Sequence, residues 1–187
     1  MSKPTLQVII GSTRPGRVGP AVAQWVADQA RQQGEFEVEI IDLKEVNLPL
    51  FDEPNHPMTG IYTFEHSKVW SATVSRADAF LFVIPEYNHS FNAAVKNAID
   101  YLNAEWRYKP AGIVSYGGAS SGIRAAQALK PVFAQIKLSH AGDLPISLIT
   151  TPVVDGVFQA TDAQVLGMMA LMAEMQAMHN VLQARRA

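Results

Sequence analysis

Cysteine is absent from this chain. That excludes disulfide staples, thiolate-rich metal sites and thiol-based redox chemistry. An excess of charge of either sign is also missing, since 15 Lys and Arg face 17 Asp and Glu for a net charge of −2. Such a balance provides no global positive field to hold nucleic acid or an anionic membrane, and neither partner is expected. No run approaches the roughly 18 to 20 apolar residues that cross a bilayer. The start, Met1-Ser2-Lys3-Pro4-Thr5, lacks the basic stretch, apolar stretch and cleavage site of a secretory signal. A soluble cytoplasmic protein is the default. The 187 residues are 48% hydrophobic and 17% charged, which suits one globular domain over 1–187 and is wrong for a disordered chain.

Short apolar runs alternate with longer amphipathic ones. Leu6 to Ile10 has strand length and β-branched content and stops at Gly11. Val18, Val22, Trp25 and Val26 follow helical spacing over about 17–33, and Gly34 ends that helix. Phe36, Val38 and Ile40 alternate with glutamates, the period of a strand near a sheet edge. Pro49, Pro54 and Pro57 make 47–60 a loop. A helix is expected over about 64–76, then the continuous apolar strand Ala79 to Ile84, whose two apolar faces require helices on both sides of the sheet. Phe91, Val95, Ala98 and Leu102 mark a further helix, and Ala111 to Ser115 a further strand. Ala125 to Ile136 reads as a helix that Pro131 indents, a weaker strand falls within 138–148, and a long terminal helix starts at Asp162. Five strands, each followed by a helix, imply an α/β fold with a parallel sheet and right-handed crossovers.

Ligands of open parallel sheets lie beyond the carboxyl ends of the strands, near the switch in strand order. Three loops there stand out. After strand 1 comes Gly11-Ser12-Thr13-Arg14-Pro15-Gly16-Arg17-Val18-Gly19-Pro20. It opens a helix whose free N–H groups favour an anion, with hydroxyls from Ser12 and Thr13 and guanidinium groups from Arg14 and Arg17. No Gly-Lys-Ser/Thr ends it and its glycine spacing is not Gly-x-Gly-x-x-Gly, so it is neither a P-loop nor a dinucleotide fingerprint. A solvated helix-capping turn is the plainer alternative; two arginines, two hydroxyls and three glycines favour phosphate. After strand 3 comes Pro85-Glu86-Tyr87-Asn88-His89-Ser90. Tyr87 offers a flat face beside the polar Asn88, a setting for a planar heterocycle, while Asn88 or Ser90 also suits a helix cap. After strand 4 comes Ser115-Tyr116-Gly117-Gly118-Ala119-Ser120-Ser121-Gly122, whose double glycine lets main chain lie against a ligand. Together the three loops describe a pocket for a planar cofactor with a phosphate tail.

These motifs resemble those of the NADPH-dependent FMN reductase family, which includes bacterial quinone, chromate and azo-dye reductases. The resemblance is carried by Gly11-Ser12-Thr13-Arg14, by Pro85-Glu86-Tyr87-Asn88 leading into Asn97-Ala98-Ile99-Asp100-Tyr101-Leu102, and by Ser115-Tyr116-Gly117-Gly118, from Leu6 to about Ile136. It implies a flavodoxin-like three-layer sandwich, a five-stranded parallel sheet of order 2-1-3-4-5 with helices on both faces. It also implies bound FMN. Ser12, Arg14, Arg17, Val18 and Gly19 would hold the phosphate; Pro85, Glu86, Tyr87 and Asn88 would line the isoalloxazine; Ser115, Gly117 and Gly118 would complete the site. Many relatives carry a second Ser or Asn where this chain has Arg17-Val18-Gly19-Pro20, so the resemblance supports the contacts at Arg17 and Val18 less than those at Ser12 and Arg14.

No nucleophile–base pair is visible, and the five histidines, His56, His66, His89, His140 and His179, show no ligand-like spacing. The chemistry then belongs to the flavin, with no catalytic side chain and no metal. The expected activity is hydride transfer from NADPH or NADH through FMN to a small acceptor (quinone, flavin, chromate or azo compound) with ping-pong kinetics. The alternatives are a flavodoxin-like electron carrier and a flavin-binding module without reductase activity. Against the carrier stand the small net charge and the two arginines at the phosphate loop. The Met-rich stripe of the terminal helix suits core packing or a subunit interface, and the resemblance implies a homodimer or homotetramer. His179 on that stripe reads as a packed or interface residue.

Overall fold

The computed structural model describes residues 3–186, and the five expected strands pair in one sheet. They are β1 (Thr5–Ile10), β2 (Glu37–Asp42), β3 (Ala79–Pro85), β4 (Pro110–Gly117) and β5 (Ser139–Ser147). The order is β2-β1-β3-β4-β5 and every pairing is parallel, as the resemblance implied. β3 lies at the centre and is buried at all its positions, which is why its sequence reads as an unbroken apolar run. Alternation along it sends Phe80, Phe82 and Ile84 to one face, where they meet Trp70, Trp106 and Phe133. Ala79, Leu81 and Val83 point to the other, against Val22, Val26, Met168 and Met172. Burying each of the larger side chains contributes about 1.5–3 kcal/mol.

The first face is covered by α3 (Glu65–Ser75), α4 (Ala93–Asp100) and α5 (Ile123–Gln135), the second by α1 (Gly19–Gln33) and α6 (Asp162–Leu182). α1 starts at Gly19 rather than near Arg17, with Pro20 in its first turn and Gly34, at φ 77°, closing it. α5 runs through Pro131 without ending there. The Met stripe of α6 resolves as core: Met168, Met172 and Met175 are buried with Leu171, while Leu166 and Met169 face outward. His179 packs edge-on to Phe36, and burial lowers its pKa.

Two features escaped the sequence reading. A one-turn helix α2 (Leu43–Val46) follows β2, its first turn capped by Asp42, which accepts from the Lys44 amide at 2.9 Å. A small antiparallel hairpin of β6 (Val153–Val154) and β7 (Val157–Phe158) precedes α6. Its Asp155-Gly156 turn has both residues at positive φ, as a two-residue hairpin demands.

Candidate active site at the carboxyl ends of the strands

The turns after β1, β3 and β4 meet around a cavity of about 160 Å³. Eight of the twelve expected residues line it: Arg14, Arg17 and Val18 from the first turn, Pro85, Glu86 and Tyr87 from the second, Gly117 and Gly118 from the third. Tyr116 and Leu148 complete the wall, and neither was expected. Ser12 and Gly19 lie buried, Asn88 sits at the exposed tip of the second turn, and Ser115 is fully buried. Ser115 donates from Oγ to the Ser121 carbonyl at 3.3 Å, so it holds the third turn together rather than facing the cavity.

The first turn is pinned from two sides. The Gly11 amide donates to the Val83 carbonyl at 2.9 Å, and Asn92 Nδ2 donates to the Gly11 carbonyl at 2.6 Å. Asn92 is the residue preceding α4, so the cap expected of Asn88 or Ser90 falls to it, although its side chain is spent on the first turn. Arg17 departs further from expectation. Its Nη1 donates to Asp42 Oδ1 at 2.6 Å and also reaches the Ser12 carbonyl, and its Nη2 contacts Asp42 Oδ2. The Asp42 hydrogen bond raises the Arg17 pKa; on Asp42, burial works upward but the Arg17 and Lys44 contacts outweigh it and hold the carboxylate below its ordinary range. Arg17 is thereby a strut between β2 and the turn, with its charge matched. Arg14 is exposed and has no carboxylate partner among the described residues.

In the second turn, Tyr87 and Ser90 exchange main-chain hydrogen bonds at 2.9 and 3.0 Å across Asn88 and His89, whose φ values are 48° and 73°. Holding a histidine in that left-handed region costs about 1 kcal/mol, a strain of the kind found at ligand sites. The Glu86 amide donates to the Tyr116 carbonyl, and the Glu86 carboxylate takes Arg124 Nε at 3.0 Å and the Arg124 amide at 3.2 Å. Arg124 Nη1 also lies 3.2 Å from His89 Nδ1. Arg124 thus ties the second turn to the start of α5, a role that only the folded chain displays. Gly122, at φ 76°, is required behind the third turn, because a Cβ there would sit 2.6 Å from the Tyr116 amide nitrogen.

FMN, the cofactor implied by the resemblance, fits what these turns leave unpaired. Among the described residues, none of the amides from Ser12 to Gly19 donates to a protein acceptor, and neither does the Gly118 amide. The start of α1 has no side-chain cap and no acidic residue in its first turn. Uncapped amides beside an unpaired arginine are the donor set that a phosphate takes. Beneath them, Ser12 Oγ and the Tyr116 hydroxyl are buried without a hydrogen-bond partner. They can stand this close to the backbone because Gly19 has no side chain, for a Cβ on it would lie 2.3 Å from Ser12 Oγ and 2.8 Å from the Tyr116 hydroxyl. Burial pushes the Tyr116 hydroxyl to a pKa of about 12, so it stays a protonated donor. Pro85, Tyr87 and Gly117 line the same cavity, Tyr87 bringing the flat ring.

Comparison with known proteins agrees. The family model described as NADPH-dependent FMN reductase matches residues 4–148. An NAD(P)H-dependent FMN reductase of Schizosaccharomyces pombe is 41% identical over 157 residues, covering 82% of this chain and 78% of its own length. A quinone reductase of Pseudomonas putida is 31% identical over 132 residues, 67% of each chain. Among solved structures, the flavoenzyme NAD(P)H:(acceptor) oxidoreductase FerB of Paracoccus denitrificans superposes with a TM-score of 0.70 at 20% identity, over 96% of this chain and 98% of that one. With its sheet order, its three turns and this match over most of its length, the chain belongs to the NADPH-dependent FMN reductase family.

Proposed function

We propose that this protein is an FMN-dependent NAD(P)H oxidoreductase that delivers electrons to a small acceptor, a quinone, flavin, azo compound or chromate. The observation that carries this reading is the cavity where Arg14, Tyr87 and Gly118 converge from three separate turns. Bound FMN supplies two-electron hydride chemistry that no side chain of this protein offers. The protein's part is to bind and orient. The uncapped amides of the first turn and the Arg14 guanidinium neutralise the phosphate. Arg17 holds the Ser12 carbonyl and fixes the shape of that turn. The Tyr116 hydroxyl and the free Gly118 amide on the cavity wall would be donors for the bound group, with Ser12 Oγ buried close to Tyr116, and a donor at the ring edge would stabilise negative charge there. Tyr87, 36% exposed, lines the cavity, and the one opening would serve nicotinamide and acceptor in turn.

That shared opening predicts ping-pong kinetics. Anaerobic mixing with NADPH, and separately with NADH, should bleach the flavin absorption, and acceptors added afterwards should restore it. Double-reciprocal plots should run parallel; intersecting lines would require nicotinamide and acceptor to bind together and would overturn the shared opening. We further propose a homodimer or homotetramer of this single-domain cytoplasmic chain. Leu50, Met58 and Ile61, which are 82%, 68% and 62% exposed on the Pro-rich segment, are its natural contact. No helix among the described residues is long and apolar enough to cross a membrane.

A further inference from the structure

At the opposite end of the sheet, ahead of β1, β3 and β4, lies a second concentration of charge. Two adjoining cavities of about 530 and 460 Å³ share Ser75, Lys109 and Arg186 in their walls. Lys3 and His179 line the first, and Arg107 and Arg185 the second. Among the described residues, five cations (Lys3, Arg107, Lys109, Arg185 and Arg186) therefore face two carboxylates, Asp78 and Glu105, in a protein whose net charge is −2. Both carboxylates are engaged. Asp78 accepts from the Thr5 amide and from Arg186 Nη1, at 2.9 and 3.0 Å, and Glu105 accepts from Tyr62, Ser71 and the Asn103 amide.

Lys109 is the anomaly. It is 7% exposed, yet among the described residues no carboxylate lies within the 4.0 Å of an ion pair. Its Nζ donates to the Val74 carbonyl at 3.1 Å and the Ser75 carbonyl at 3.5 Å, the last turn of α3, and sits 5.4 Å from the Phe80 ring centre. Those neutral contacts occupy two of its three N–H bonds. A buried ammonium without a counter-ion, next to a second cation, is costly unless an anion joins it. Burial first, then the Arg186 charge, lower its pKa to about 8, which leaves it mostly charged at neutral pH.

We propose that this pocket binds a small oxyanion of the inorganic phosphate or phosphomonoester class, with the Lys109 ammonium as its central contact and Arg186 and Lys3 as flanking ones. Cations arriving from three chain segments match a multi-oxygen dianion better than the flat, singly charged carboxylate does. The pocket is separated from the flavin cavity by the length of β4, about 26 Å for eight residues at 3.3 Å each. It is thus a different site from the one that takes the FMN phosphate.

The test titrates inorganic phosphate into the FMN-loaded protein, whose first turn is then already filled, with chloride replaced to hold ionic strength constant. Binding should be saturable and raise Tm by about 3–6 °C at ten times Kd. Lys109→Met and Arg186→Gln should each weaken phosphate at least ~10-fold, as loss of a charge-assisted contact requires, while leaving flavin reduction unchanged. Affinity should also fall above pH 8 as Lys109 gives up its proton, in a pocket whose other charged or titratable groups are Lys3, Asp78, Glu105, Arg107, Tyr108, His179, Arg185 and Arg186. Equal stabilisation by chloride, or wild-type phosphate affinity in the folded Arg186→Gln and Lys109→Met proteins, would overturn the proposal. If Lys109→Met does not fold, Arg186→Gln alone decides between the two outcomes.

Discussion

Two arginines three residues apart have different work. Arg17 is spent on Asp42 and on the Ser12 carbonyl, whereas Arg14 is exposed and unpaired by any carboxylate among the described residues. Arg14→Ala should therefore weaken FMN by about 10–100-fold with little change in Tm, the value of one charge-assisted contact to phosphate. Arg17→Ala should instead lower Tm by freeing the turn from Asp42, and should weaken FMN only through that loss of shape. Flavin fluorescence titrations beside thermal melts separate the two, and equal effects on both quantities would remove the distinction. Gly19 gives a second expectation at this scale. The methyl group of Gly19→Ala would meet two buried hydroxyls, so the variant should lose about 1–3 kcal/mol in denaturant melts and bind FMN more weakly. The motif Gly11-Ser12-Thr13-Arg14 pointed to this turn, but nothing in its composition could tell the paired arginine from the unpaired one. The partner, Asp42, is 25 residues away and joins the turn only through the parallel pairing of β1 with β2.

Among the elements, strands and long helices were plain in the sequence, because apolar period records which face is buried. β3 and the start of α6 fall within a residue of expectation. Less legible was the segment between β2 and α3, where three prolines suppress any period. The fold organises it with side chains instead. The Glu53 carboxylate accepts from the Thr63 and Phe64 amides at 2.8 and 3.0 Å, closing the segment onto the first turn of α3. Burial works upward on Glu53, but its contacts with Ser67, Phe64 and Thr63 prevail and lower its pKa to about 2. A carboxylate with a depressed folded pKa lends its stability above its unfolded value, about 4.3, and loses it as pH falls. Cleavage of the 54–62 segment by an acid-active protease should accordingly accelerate as pH drops from about 4.5 towards 2. Glu53→Gln should show the faster rate already at neutral pH, measured with a neutral protease. A pH-independent rate in the wild type would mean that Glu53 does not hold the segment. The small β6–β7 hairpin went unread: its two-residue strands are too short for any period to show, although Asp155-Gly156 is the turn pair that could have signalled it.

For the whole molecule, the apolar side chains that the fold leaves outside include Leu50, Met58 and Ile61 on the Pro-rich segment and Leu166, Met169 and Val181 on α6. If the former is the subunit contact, Met58→Asp combined with Ile61→Asp should shift the light-scattering mass to that of a monomer, and an unchanged mass would assign the contact elsewhere. Net charge, missing cysteine and run length are global quantities, so the sequence states them without the fold. The cavity itself is global in another sense: Tyr116, Leu148, Asn92 and Arg124 enter it or brace it only once five strands are in register. The measurement that bears most directly on this account compares FMN with riboflavin, which lacks the phosphate, by fluorescence titration of the flavin-free protein. The wild type should favour FMN by at least ~100-fold, Arg14→Ala should erase most of that preference, and Tyr87→Ala should weaken both flavins alike. Equal affinity for the two flavins, or an FMN preference that survives Arg14→Ala intact, would contradict a phosphate seated in the first turn and a ring held between the other two.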